Sequence, residues 1–147
     1  MRCSRLVMFG LAGAVAATPA AADDVAVPAA DAVPVMLIQF TRTAKATEMR
    51  LQATAPLKGA CWTMTGPNSP YLIAAEHRYP LIGGDRIAAC PKGRDYAEGE
   101  VMVLRFAPLR PNVSEFSLIE GVGGESQILD PGSATRRYWN FLHVKAK

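Results

Sequence analysis

Apolar and polar side chains along this chain repeat with a period of two far more than with the 3.6-residue period of a helix. Glu48 to Ala55 is the plainest case: Met49, Leu51 and Ala53 are opposed by Glu48, Arg50, Gln52 and Thr54, which predicts a strand with one wet face. Val35 to Phe40 is a nearly continuous apolar run and predicts the strand before it, with polar Thr41 to Thr47 as a hairpin-sized connection. The pattern is strongest from Glu100 to Gly121. Met102, Leu104 and Phe106 share one face and Val101, Val103 and Ala107 the other, interrupted only by Arg105. A strand apolar on both faces belongs in the middle of a sheet. Pro108 to Asn112 is dense in turn formers, after which Phe116, Leu118 and Glu120 alternate with Ser117 and Ile119 in a further strand.

Ala60 to Met64 and Tyr71 to Ala75 predict two more strands, although Ala74 to His77 also suits a helical turn. Gly66-Pro67-Asn68-Ser69-Pro70 and Gly83-Gly84-Asp85 read as turns, and Pro91 to Gly99 as a surface loop. A last strand is expected over Arg136 to Val144, with Tyr138, Asn140, Leu142 and Val144 on one side and Trp139, Phe141 and His143 on the other. No long segment keeps apolar positions at helical spacing between good caps. The expected fold is therefore an all-β, antiparallel β-sandwich of the immunoglobulin-like kind, with a small β-barrel as the alternative. Cys61 is followed directly by Trp62, unlike the cysteine, tryptophan, cysteine spacing of antibody domains, so the likeness is architectural only.

The first residues do not belong to this pattern. Arg2 and Arg5, the apolar Leu6 to Ala17 and the small residues Ala20-Ala21-Ala22 predict residues 1–22 to be a secretory signal, cut between Ala22 and Asp23. Its apolar run is shorter than the roughly 20 residues of a membrane span. Asp23 to Pro34 holds only Ala, Asp, Val and Pro, and residues 23–34 are expected to be a disordered leader. One domain is expected over residues 35–147, with no membrane span once the signal is gone. The destination is the periplasm or the exterior of a bacterium, to judge from the alanine-rich signal.

Charge and cysteine content narrow the chemistry. The formal net charge of +3 owes much to Arg2 and Arg5, so the remaining chain is near neutral and a nucleic-acid partner is not expected. Cys3 leaves with the signal. Cys61 and Cys90 remain, and export to an oxidising compartment predicts a disulfide between them. They are not in a Cys-x-x-Cys redox arrangement, and with His77 and His143 they match no zinc-finger spacing. No metal or other cofactor is expected.

In Phe106-Ala-Pro-Leu109, Phe116-Ser-Leu-Ile-Glu-Gly121 and Trp139-Asn-Phe-Leu-His-Val144, the last third of the chain resembles exported bacterial β-sandwich domains of unknown function. There, a strand ending in Phe-x-Pro-Leu precedes a Phe-x-x-Ile-Glu-Gly segment and a closing strand with an aromatic pair. The resemblance implies fold and export, and carries no catalytic residues.

Catalytic constellations are weak. His77 and His143 are the available histidine bases, and no Gly-x-Ser-x-Gly elbow accompanies them. His143 reads as a strand residue with a satisfied ring nitrogen. His77, beside a turn, is the better exposed candidate, with Asp85 as a conceivable partner. Glu120 and Glu125 read as loop carboxylates rather than a glycosidase pair, and Gly121-Val-Gly-Gly124 as a turn without the lysine of a phosphate loop. Asn112-Val113-Ser114 matches a glycosylation acceptor, which a bacterial host gives no reason to use. Arg136, Arg137, Tyr138 and Trp139 are the densest basic and aromatic cluster, suited to stacking on sugars or anionic surfaces. The expected role is a non-enzymatic binding or assembly module for an envelope protein or glycan, with Arg136, Arg137, Tyr138, Trp139 and His77 as binding candidates. A small exported hydrolase and an envelope protease inhibitor are the alternatives.

Overall fold

The computed structural model describes residues 20–30, 33–121 and 139–146. Among them are ten strands: β1 (Ala22–Pro28), β2 (Val35–Arg42), β3 (Thr47–Ala53), β4 (Leu57–Ala60), β5 (Tyr71–Ala74), β6 (His77–Asp85), β7 (Arg94–Tyr96), β8 (Val101–Phe106), β9 (Glu115–Ile119) and β10 (Phe141–Lys145). Eight form one antiparallel sheet in the order β1-β2-β3-β8-β6-β5-β9-β10, and β4 pairs with β7 in a small second sheet. The outer strands of the large sheet come together where Ala30 N donates to Asn140 O at 2.8 Å. The fold is thus all-β, as expected, and the large sheet is a nearly closed barrel that fits the description of either a sandwich or a small barrel.

β8 stands fourth in the eight-strand order, in the middle. Met102, Leu104 and Phe106 are fully buried inside, and Val103 on the outer face is still only 8% exposed. Arg105, the one break in the apolar pattern, lies outside, where it bonds Glu48 of β3 at 3.1 Å and also Asp85 of β6. Three adjacent strands share that charge cluster. Inside, Phe40 of β2 and Phe116 of β9 meet edge to face across the barrel, with centroids 5.2 Å apart. Such contacts add about 0.5–1.5 kcal/mol beyond area burial.

Bulges curl the sheet. Leu37 pairs with Leu51 and Gln39 with Arg50, so Ile38 is an extra residue in β2. Ile82 is extra in β6 in the same way, and is exposed as a result. A bulge adds one residue to one strand, bends it and increases its twist. In β10 the bulge shifts the expected phase: Phe141 and Val144 both enter the core, while His143 turns outward with φ +53° and its N–H bonds Ser117 Oγ at 3.0 Å.

Several expectations need correction. The expected disordered leader is a strand over Ala22–Pro28, because Val25 and Val27 recur on one side and pack on the core while β2 supplies the pairing. Gly83-Gly84-Asp85 is no turn but the end of β6. A Cβ at Gly84 would lie 2.5 Å from Val103 O, so the missing side chain lets β6 approach β8. The real turn is at Ala75 and Glu76, both with positive φ, as a two-residue hairpin requires. The strand expected at Ala60 to Met64 runs instead over Leu57–Ala60, and the loop expected at Pro91 to Gly99 contains its partner β7. The start of the signal reading and most of the expected last strand before Trp139 lie outside the described residues.

The small sheet and the disulfide fill one end of the barrel. Cys61 and Cys90 are bonded, their Cα atoms 5.0 Å apart, flanking the bridge of Trp62 to Ala89. Trp62 N donates to Ala88 O at 2.8 Å and Cys90 N to Trp62 O at 2.9 Å. Joining two positions 29 residues apart restricts the unfolded chain, a contribution of about 3–4 kcal/mol in the chain-entropy account. The double substitution Cys61→Ser with Cys90→Ser is expected to lower unfolding stability by about 3 kcal/mol, read as a shift of the urea midpoint. An unchanged midpoint would mean that the bond restrains little in the unfolded chain.

Candidate functional site

The two ends of the barrel differ in chemistry. At the filled end, the closing of the sheet depends on Glu120, which follows β9 and is only 7% exposed. Its Oε2 accepts from Trp139 N at 3.1 Å, and its own N–H donates to Asn140 Oδ1 at 2.8 Å. Asn140 in turn presents its backbone oxygen to Ala30. Trp139 stacks edge to face on Trp62, centroids 4.6 Å apart. Burial pushes the Glu120 carboxyl up to about 7, against the opposing effect of backbone bonds from Trp139 and Thr63. This acid has a structural task.

Among the described residues the opposite end is open and built from three connections. They are the β2–β3 hairpin, the Ala75-Glu76 turn and the stretch between β8 and β9. The last is braced: Ala107 N bonds Pro80 O at 2.9 Å, Leu109 N bonds Thr47 Oγ1 at 3.0 Å, and Val113 N bonds Arg110 O at 3.1 Å. Leu109 is buried, and Pro108 and Pro111 fix the backbone on either side of Arg110. Arg42 of β2 donates from Nη1 to Val113 O at 2.9 Å and holds the same stretch from the side.

Two cavities flank Arg110. One, of about 590 Å³, is lined by His77, Glu76, Asn112, Val113, Ser114 and Glu115 along with Arg110; the other by Arg42, Ala44, Pro108, Pro111 and again Arg110, together with Ala20 and Ala21 ahead of the expected cleavage site, so its volume of about 810 Å³ is that of the uncleaved chain. Both lie within the size range of ordinary ligand pockets, and barrel mouths are common places for them. The Arg110 guanidinium is exposed and makes no ion pair or side-chain hydrogen bond within the described residues. Lys58, Arg94, Arg105 and Lys145 are ion-paired, whereas Lys45, Arg50, Arg86 and Lys92, like Arg110, have no ion pair among the described residues; what sets Arg110 apart is its place between the cavities.

Of the expected site residues, His77 is exposed and lines the first cavity, its ring against Tyr79 with centroids 4.7 Å apart. Asp85 is not its partner, since the two stand at opposite ends of the nine-residue β6, about 26 Å of extended chain apart. His143 Nδ1 lies 2.8 Å from Glu115 Oε1, the satisfied ring nitrogen expected of it. Trp139 is only 7% exposed and belongs to the core rather than to a binding face. Arg136, Arg137, Tyr138 and Glu125 lie outside the described residues. Among the described residues, no group of three or more His, Cys, Asp and Glu side chains is arranged to hold a metal ion. Arg110 escaped the sequence reading because a lone arginine between two prolines has no periodic signal. The prolines at 108 and 111 were the clue that its backbone is fixed.

Glu120 yields a pH test. Its folded value, about 7, exceeds the ordinary 4.5, so its contribution to stability is complete below pH 4.5 and is lost as pH rises through 7. The full loss is on the order of 3 kcal/mol. Unfolding free energy should fall over that window in the wild type and stay nearly flat in Glu120→Gln, which keeps an acceptor for Trp139 N. An equal slope in both proteins would assign the dependence to another group.

Comparison with known proteins finds no match to this chain among family models, curated proteins or solved structures.

Proposed function

We propose that this chain is an exported, non-enzymatic binding module that recognises a component of the cell envelope through the open end of its barrel. The observation that carries the reading is Arg110: an exposed guanidinium without an ion-pair partner among the described residues, presented at the cavity of about 590 Å³, whose lining lies wholly after the expected cleavage site, by a connection braced with prolines and backbone bonds. A preorganised polar group beside apolar walls lowers the ordering cost of binding. The disulfide suits an oxidising compartment.

The strand edges are less suited to taking up a partner strand. β1 carries Asp23, Asp24 and Pro28, and β10 carries its bulge, all features that discourage edge pairing. Of the residues on which a hydrolase would rest, Glu120 holds Trp139 and Asp85 holds Arg105, which leaves the exposed His77 without the carboxylate expected beside it.

Affinity capture from envelope extract with wild type, Arg110→Glu and, as a control at the filled end, Lys92→Glu tests the reading. A component retained by wild type and Lys92→Glu but reduced at least roughly tenfold with Arg110→Glu is the expected result, given the 1.5–3 kcal/mol of a charged hydrogen bond. Equal recovery with all three proteins would place recognition elsewhere on the molecule.

A further inference from the structure

The cavity of about 590 Å³ narrows the ligand chemistry, and every residue of its lining follows the expected cleavage site. Five of its side chains, Glu76, His77, Arg110, Asn112 and Ser114, make no hydrogen bond or ion pair among the described residues. Glu115, the remaining charged residue of the wall, is engaged by Lys145 and His143. One carboxylate and one guanidinium are left. Glu76 comes from the β5–β6 turn and Arg110 from the stretch between β8 and β9, and no ion pair joins them although they line the same space. A ligand with a single charge would satisfy one and leave the other unmatched.

Both charges are placed by constrained backbone. A two-residue hairpin turn with positive φ at both positions favours asparagine and glycine, because other side chains crowd the backbone there. Here the pair is Ala75 and Glu76, with φ +45° and +65°, and both line the cavity. Conformations of this kind cost free energy and cluster at ligand-binding sites. On the other connection, Pro108, Pro111 and the bond from Val113 N to Arg110 O fix the backbone that carries the guanidinium. The wall also holds aliphatic surface, from exposed Ala75 and half-buried Ile73 and Val113, whereas Tyr79 and Phe116 are only 4% and 1% exposed and give a sugar no ring to stack on. Two opposite charges and an aliphatic wall match a short peptide with both ends free. Resting on the binding reading above, we infer that this cavity takes a zwitterion of the amino-acid and short-peptide class, its ammonium group on Glu76 and its carboxylate on Arg110.

The test uses the purified protein with di-, tri- and tetra-alanine at pH 7, where both peptide ends carry charge, followed by amide chemical shifts. At least one free-ended length is expected to move the signals of Glu76, His77, Asn112 and Ser114 in a saturable way. Its N-acetylated and its C-terminally amidated forms should each bind at least roughly tenfold more weakly, the loss of one charged hydrogen bond. In Glu76→Gln the free-ended peptide should bind no better than the N-acetylated one, and in Arg110→Gln no better than the amide, with unchanged urea midpoints showing that the fold is intact. Equal binding of free and capped forms would overturn the zwitterion and leave the cavity as a binding site. Shifts with maltotriose but with no peptide would overturn the peptide in favour of a neutral sugar. If no probe moves these signals the inference fails, and the binding reading fails with it only if recovery from envelope extract is also independent of Arg110.

Discussion

The structure depends on filling the inside of a strongly curled sheet. A flat eight-stranded sheet would leave the inner faces of β2 and β9 far apart, yet Phe40 and Phe116 touch. Bulges in β1, β2, β6 and β10 make this possible, since each bends its strand and resets which side chains face inward. The cost appears on the outside, where Ile82 is left exposed and His143 adopts a positive φ. Arg105 with Glu48 and Asp85 then ties the outer faces of the three middle strands, in solvent-exposed pairs worth little individually.

Curling also separates the molecule into a filled and an open end. Trp62, Trp139, the small sheet and the disulfide close one end, and the buried Glu120 links the strands that meet there. At the other end the connections are short or braced and leave side chains facing solvent. Stability and recognition are thus assigned to opposite ends. Substitutions at one should combine almost additively with those at the other, because they share no partners.

Much of this was legible in the residues. β2, β3, β8 and β9 each carry a clear apolar pattern between turn formers, and β8 could be placed in mid-sheet because both its faces are apolar. The pairing of Cys61 with Cys90 followed from compartment and number. What failed has related causes: β4 and β7 are only four and three residues long, and β1, at seven residues, has no apolar side chain larger than Val25 and Val27, so each depends on a neighbouring strand for its extended form. Gly83 and Gly84 suggested a turn because a missing side chain permits both a turn and a close strand approach, and only the position of Val103 O decides between them. The open end was half visible. His77 stood out as a rare, titratable residue, while Arg110 gains its meaning from the cavities beside it and the bonds beneath it.

The bond between Ala30 and Asn140 joins the first strand region to the last. Pairings such as β3 with β8 and β5 with β9 already span long stretches of chain, and this one reaches further, from residue 30 to residue 140. The barrel cannot close until Asn140 has emerged, whether from a ribosome or through a membrane pore, because β10, which follows it, completes the sheet. Such non-local topologies fold slowly compared with local ones. Until Asn140 arrives, β1 has a neighbour on one side only, and the hydrophobic interior remains open along that seam.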